Sequence, residues 1–492
     1  MNRWAESLRR HVADRPADLA LIARRNRRWI GLTWRDLHDA LIDRLADGLG
    51  DRFGVMCHRS EPTLDSVLTS LACMVGGVTE APLDGRLPDH LCEHRREVIE
   101  SSSLPDAAAL ILWTSGTGGA ARGVVLDHDG QYLNALAKLA RVPQAFDDVR
   151  LTVLPISHAY ARTCDLGTWL ISGCRWIVTL GIAGLRTTAA DLAKFDAKLR
   201  ISHINAVPII ESQLRSDFRR GEIGSTIPSL EDLRVLGVGG AAVDDHAIDH
   251  WKHHGVDIVP GYGLTEAGPV VASASPGAAI AGHVGRTVDR WDARTINGEL
   301  YVRGPSLALG SIGVVDPLID SSVDPPLHKR AQPSNPRCVF DPTLDGRRDA
   351  RGWFATGDRV RRGCNDQWQI LGRIDDVVTL ANGVSVDAKS IERSARRELH
   401  QYFDDSSESV FVAGAGGGQL WINCPVTHRS SLPSTWRSLE HPSIGRVSVH
   451  QFEPPIRDDE RTDKGEIRRN VRGLGFGHRV KTPRANTTPE SA

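Results

Sequence analysis

A strand-length apolar run, Leu110-Ile-Leu-Trp113, opens directly onto Thr114-Ser-Gly-Thr-Gly-Gly-Ala-Ala-Arg-Gly123, a stretch made almost wholly of small and hydroxyl residues. No other feature constrains the fold as tightly, because a buried strand must here deliver a loop whose backbone N–H groups can approach another group closely. With the Ser115 and Thr117 hydroxyls beside those amides, the loop suits phosphate oxygens, and its length suits a nucleotide triphosphate. The Gly-Lys-Ser/Thr ending of a Walker loop is absent, and the apolar run Val124-Val-Leu126 stands where that motif needs a helix. A P-loop NTPase is therefore excluded.

Four further segments follow in order: Gly261-Tyr-Gly-Leu-Thr-Glu266, Gly298-Glu-Leu-Tyr-Val-Arg-Gly-Pro305, Trp353-Phe-Ala-Thr-Gly-Asp358 and Leu371-Gly-Arg-Ile-Asp-Asp376. Each alone is a weak signal, since Gly-Tyr-Gly or Thr-Gly-Asp usually marks only a turn. In this order and spacing they resemble the core motifs of the adenylate-forming (AMP-binding) superfamily: acyl-CoA synthetases, luciferases and peptide-synthetase adenylation domains. The resemblance runs from about Leu32 to Arg469. It implies an α/β fold with a large N-terminal domain of layered α/β sheets and a smaller, mobile C-terminal α+β domain. The boundaries expected are 1–372 for the AMP-binding domain, 373–475 for the hinged domain and 476–492 for a disordered tail.

Bulk properties agree with a two-domain enzyme. At 492 residues the chain is too long for one ordinary core. Lys+Arg total 60 against Asp+Glu 61, so no net field points to nucleic acid or an anionic membrane. Eight scattered cysteines without a C-x-x-C pair argue against structural zinc and for a reducing, cytoplasmic setting. The first residues lack an apolar h-region, and no run reaches the ~18 apolar residues a membrane helix needs.

Local patterning predicts a helix that Thr33 caps and that Leu37, Leu41, Leu45 and Leu49 line at four-residue spacing. A strand is expected at Phe53–Cys57 and a second helix at Thr63–Met74, stopping at Gly76-Gly77. Only residues 86–109 separate Gly85 from the phosphate loop, fewer than relatives use, so one peripheral βα unit is expected to be abbreviated. Residues 311–352 carry Pro317, Pro325, Pro326, Pro333, Pro336 and Pro342 and read as a surface insertion.

The resemblance implies a reaction in which a carboxylate joins the α-phosphate of ATP, pyrophosphate leaves, and the acyl group passes to coenzyme A or a carrier-protein thiol. Thr114, Ser115, Gly116, Thr117, Gly118 and Arg122 would hold the β- and γ-phosphates, with Arg122 where most relatives have lysine. An arginine is a planar fork rather than a point charge, but guanidinium suits phosphate well. Gly239, Gly240 and Ala241 would lie along adenine and the acyl group, and Tyr262 and Gly263 would form the adenine wall. Thr265 would contact the α-phosphate and Glu266 would hold Mg²⁺, a hard ion that prefers oxygen. Asp358 would take the ribose hydroxyls with Arg373 beside it, and Asp375 would be the hinge.

Leu154-Pro-Ile-Ser-His-Ala-Tyr-Ala-Arg-Thr-Cys-Asp165 and Ala206-Val-Pro-Ile-Ile-Glu211 resemble segments of long-chain fatty acyl-CoA ligases. They place His158 and Gly261 at the acid and make a fatty acid the expected substrate, with an o-succinylbenzoate-type acid or a carrier-protein acceptor as alternatives.

One departure stands out. Relatives end in a Gly-Lys-Ile motif whose lysine stabilises charge during adenylation, whereas Arg461-Thr-Asp-Lys-Gly-Glu-Ile-Arg-Arg469 puts Glu466 at that position. Losing such a contact commonly costs on the order of 100-fold in rate. Lys464, two residues earlier, would face the same side of an extended segment about 6–7 Å away, and a local shift of register would bring it in as a substitute. Three readings stay open: an acyl-CoA ligase that uses Lys464 or tolerates a slow first step, an adenylating enzyme with another thiol acceptor, and a non-catalytic binder of nucleotide or acyl-adenylate.

Overall fold

The computed structural model describes residues 2–49, 54–115, 121–181, 184–186, 191–192, 195, 199–219, 230–240, 243–314, 338–374, 377–379, 385–387, 411–415, 419–424, 439–441 and 445–451. Helices and strands alternate along most of it, in the α/β manner expected. The chain divides into two compact units. One takes the described residues up to Ile370 apart from Gly357–Arg359, and the other takes those three and the described residues from Leu371 onward.

In the larger unit a nine-stranded sheet runs, in spatial order, Arg286–Thr287, Val270–Ser273, Asp257–Gly263, Val235–Gly239, His203–Ala206, Val149–Thr152, Arg175–Val178, Leu19–Arg25 and Arg28–Thr33. Its central pairings are parallel. Strands of that kind are covered on both faces, which is why Val149–Thr152 and His203–Ala206 are buried at every position. A six-stranded sheet runs Cys338–Asp341, Gly310–Val314, Ala121–Leu126, Leu110–Ser115, Thr79–Asp84 and Val55–Ser60. A third sheet joins Asp292–Ile296, Glu299–Arg303, Phe354–Arg362 and Trp368–Arg373. The smaller unit holds a two-stranded ladder, Val377–Thr379 with Ser385–Asp387, and a four-stranded sheet in the order Phe411–Ala415, Gln419–Cys424, Gly445–Gln451, Leu439–His441.

The phosphate hairpin is wedged between two cores. Leu110, Leu112, Val124 and Leu126 enter one, while the alternate residues Ile111 and Val125 enter the other. Period-two burial on both faces fixes the register, because a one-residue slip would exchange every side chain between the two. Behind the nine-stranded sheet, Trp34, Trp169 and Trp176 stack with ring centroids 5.3 and 4.8 Å apart, filling the main core.

The predicted helices form. Thr33 closes a capping box with Asp36 at the start of Trp34–Ala46, and Gly77 ends Leu64–Gly76 in the left-handed conformation. The first helix stops before Leu49, which packs against the core from beyond the helix end. The surface-insertion expectation for 311–352 is corrected at both flanks. Gly310–Val314 and Cys338–Asp341 pair antiparallel as members of the six-stranded sheet. Five of the six prolines fall at 317–336, outside the described residues, and Pro342 stands just past the strand end, so none removes a ladder donor from either flank. The expected tail, 476–492, also lies outside the described residues. Among the described residues no helix is long and apolar enough to cross a membrane.

Candidate functional site

The hairpin pairs Thr114 with Arg122 and Ser115 with Ala121, so Arg122 projects from the strand leaving the phosphate loop. Gly116, Thr117 and Gly118 lie outside the described residues. The neighbouring strand Gly310–Val314 pairs Ile312 with Gly123, and Cys338–Asp341 pairs with it in turn. That order carries the segment after Asp341 back to the hairpin, where Asp345 forms an ion pair with half-buried Arg122. Burial and the nearby Arg347 guanidinium lower the Arg122 pKa, and Glu266 and Asp341 oppose them.

Thr265 and Glu266 sit in a single 3-10 turn, Thr265–Ala267, that Gly268 ends at φ 76°. Neighbouring backbone and side chains fasten the turn: Ala308 N donates to Glu266 O at 2.7 Å, Ser306 Oγ to Ala267 O at 2.9 Å and Thr163 Oγ1 to Gly268 O at 3.1 Å. Gly263 cannot be replaced here, since a Cβ would lie 1.6 Å from the Pro269 carbonyl oxygen. Half-buried Tyr262 packs against the core that receives Leu110 and Val124. The Glu266 carboxylate faces Arg347 Nη1 at 3.9 Å.

Gly239 and Gly261 are register partners on adjacent parallel strands. A Cβ at Gly239 would meet the Tyr160 ring at 2.9 Å, so that ring lies along a floor of bare backbone. Gly240, at φ 94°, continues the floor, and Ala241 is outside the described residues. A buried chain orients the ring: Arg150 Nη1 pairs with Asp165 Oδ1 at 2.6 Å, Asn205 Nδ2 donates to the same oxygen at 2.6 Å, and the Tyr160 hydroxyl donates to Asn205 Oδ1 at 3.4 Å. Burial pushes the Tyr160 phenol well above its ordinary pKa and keeps it a neutral donor.

His158 ends the turn before Tyr160, and its Nε2 is 3.3 Å from Asp84 Oδ2. Deeper, Glu80 accepts from Arg162, from His58 at 2.9 Å and from Ser70 at 2.5 Å. Burial alone would raise that carboxyl; Arg162 and His58 outweigh it and hold it at about 2.

In the smaller unit Asp358 is buried and Arg373 Nη1 approaches its Oδ1 at 3.3 Å. Gly357, at φ 73°, leaves room for that guanidinium: a Cβ would lie 2.9 Å from Arg373 Nη2. Asp375, Lys464 and Glu466 lie outside the described residues.

Three contributors escape sequence reasoning. Asp345 and Arg347 belong to the stretch read as an insertion, and only the Asp345-Gly346 turn pair hints at order there. Tyr160 is inside a quoted segment, yet nothing in its spacing says which side chain meets the glycine floor. Among the described residues no three or more His, Cys, Asp or Glu side chains gather as a metal site. One carboxylate such as Glu266 nevertheless fits Mg²⁺, which takes its other ligands from phosphates and water.

Residues 94–311 match the family model for AMP-binding enzymes. An acyl-CoA ligase of Alternaria alternata is 27% identical over 290 residues, which cover 55% of this chain and 45% of that protein. A 4-coumarate–CoA ligase-like protein of Arabidopsis thaliana is 26% identical over 295 residues, again 55% of this chain and 45% of its own length. The chain thus spans less than half the length of these curated relatives. In fold, it resembles an O-succinylbenzoate coenzyme A synthetase of Bacillus subtilis in complex with AMP, at a TM-score of 0.69 and 15% identity, over 98% of this chain and 99% of that one.

Proposed function

We propose, from the premise that the chain belongs to the adenylate-forming (AMP-binding) enzyme superfamily, that it is an AMP-forming acid–thiol ligase using ATP, Mg²⁺ and coenzyme A. A carboxylate oxygen attacks the α-phosphorus, the bond to the bridging oxygen breaks and pyrophosphate leaves. The thiol then attacks the acyl carbonyl and AMP departs. Two anions meet in the first step, so cations and oriented donors must offset their repulsion. Thr265 donates its hydroxyl to the α-phosphate, Arg122 and the hairpin amides hold the outer phosphates, and Asp358 accepts from the ribose. Glu266 would hold Mg²⁺, which would supply Lewis-acid neutralisation at the phosphates.

The observation that supports this reading best is Arg347 Nη1 facing the Glu266 carboxylate at 3.9 Å, with Arg122 on the hairpin paired to Asp345 of the same loop. Cationic forks around one carboxylate are what a metal-bound polyphosphate requires. Among the described residues, Cys57, Cys73, Cys92, Cys164 and Cys174 are thiols not joined in disulfides.

The motif forms around His158 and Gly261 favour a fatty acid. A second reading, a compact acid of the o-succinylbenzoate type, is favoured by Tyr160. Its ring covers the glycine floor, and the nearby cavity, lined by Lys138, Arg150, His203, Asn205 and Gly237, is ≈ 10 Å³, room for about one water. Acid-dependent exchange of labelled pyrophosphate into ATP, run across short, medium, long-chain and aromatic acids with and without Mg²⁺, tests both. Exchange with long-chain acids supports the first, and exchange confined to compact acids supports the second. Silence with every acid, for the native chain and for Glu466→Lys alike, leaves only a nucleotide-binding role.

A further inference from the structure

The segment from Asp341 to Arg348 is a built wall. Asp341 accepts from Thr343 N at 2.8 Å and from Asp345 N at 2.6 Å, and Gly346 N donates to Thr343 Oγ1 at 2.8 Å. Leu344 is buried, anchoring the middle of the loop. Arg347 is tied down on one side: Nε donates to Ala355 O at 2.9 Å, Nη2 donates to Thr356 O at 2.6 Å, and the guanidinium lies 4.5 Å over the Phe354 ring. Its remaining nitrogen, Nη1, faces Glu266 from 3.9 Å, beyond hydrogen-bond reach, and has no acceptor among the described residues.

Such a fork is preorganised for an anion bound beside Glu266. Two guanidiniums near one another repel, and the Asp345 carboxylate on Arg122 offsets that repulsion. Polyphosphate would offset it far better.

We propose that Arg347 is a phosphate-binding residue of this site and that Asp345 is the carboxylate ATP displaces from Arg122. The assignment rests on the adenylation reading above and adds to it a cation and a competitor drawn from the loop after Asp341.

Calorimetric titration of the full chain with ATP and with AMP, both in Mg²⁺, separates the possibilities. Arg347→Gln is expected to weaken ATP about tenfold and AMP by less than about twofold, the loss of one charge-assisted contact to the outer phosphates. Arg347→Lys should recover part of the loss, because it keeps the charge without the fork. Asp345→Asn should tighten ATP several-fold and leave AMP unchanged. Equal losses for both nucleotides on Arg347→Gln, or no tightening on Asp345→Asn, would overturn the assignment while adenylation stands. Should Arg347→Gln unfold, Asp345→Asn decides alone. A native chain that binds neither nucleotide would overturn both.

Discussion

The Asn134 amide meets the Val270 backbone at both of its ends, Nδ2 donating to Val270 O at 2.8 Å and Oδ1 accepting from Val270 N at 2.9 Å. Nδ2 also donates to Ser306 Oγ at 3.0 Å, and one helical turn away Gln131 Nε2 donates to Gly268 O at 3.2 Å. The helix that follows the phosphate hairpin thereby holds the turn carrying Thr265 and Glu266. Asn134→Leu strands a buried donor and acceptor and is expected to cost about 2–4 kcal/mol. Urea unfolding reads that cost, and the KM for ATP should rise with it; an unchanged unfolding midpoint would remove Asn134 from this positioning role.

Glu266→Gln and Asp358→Asn address the chemistry with minimal change of shape. Each is expected to lower acid-dependent pyrophosphate exchange by roughly 100-fold or more, since on the proposed reading Glu266 would hold Mg²⁺ and Asp358 would accept from the ribose hydroxyls. Glu266 is half-buried, so its variant should keep the native melting temperature. Near-normal turnover in either variant would dissolve the site assignment.

Tyr160→Ala clears the glycine floor. The expected result is a shift of preference towards bulkier acids, by about tenfold in the ratio of kcat/KM values, in keeping with 1–3 kcal/mol for a change of pocket volume. Competition between a short and a long acid measures it directly. An unaltered ratio would place the acid elsewhere.

His11 sets an unusual acid limb. Its Nε2 donates to Leu170 O at 3.0 Å, its Nδ1 accepts from Arg15 Nη2 at 3.2 Å, and the ring packs 4.4 Å from Trp34. Burial, with Arg10 and Arg15 close by, lowers its pKa to about 4. The folded state therefore prefers the neutral ring, so its contribution is complete above the unfolded value near 6.5 and is lost as pH falls from there to about 4. The loss approaches about 3 kcal/mol, or roughly 1.4 kcal/mol per pH unit. Unfolding free energy measured between pH 7 and 4 should fall less steeply in His11→Gln than in the native chain. Parallel slopes would contradict the account.

What the sequence reveals here tracks how local the physics is. Thr33 as a cap, Gly77 as a stop and the apolar run Leu110–Trp113 as a strand depend on near neighbours, and all three are readable. Gly263 looked like an ordinary motif glycine; its real constraint is the Pro269 carbonyl, which antiparallel pairing with the next strand brings in. Arg347 acquires its place only because Cys338–Asp341 pairs with Gly310–Val314, which in turn pairs with the phosphate hairpin. No periodicity in the sequence announces two such pairings across a proline-rich gap. Proline density was wrongly extended to the flanks, which pair as strands, and 315–337 lie outside the described residues.

Gly239 and Gly261 lie opposite one another on adjacent strands, while Tyr160 faces Gly239 from a separate helix. On the proposed reading, this floor meets its ligand with main chain alone, and the side chain beside it is Tyr160's. A change at Tyr160 would then alter which acid is accepted while the side chains assigned to the nucleotide, Thr265, Glu266 and Asp358, stay in place.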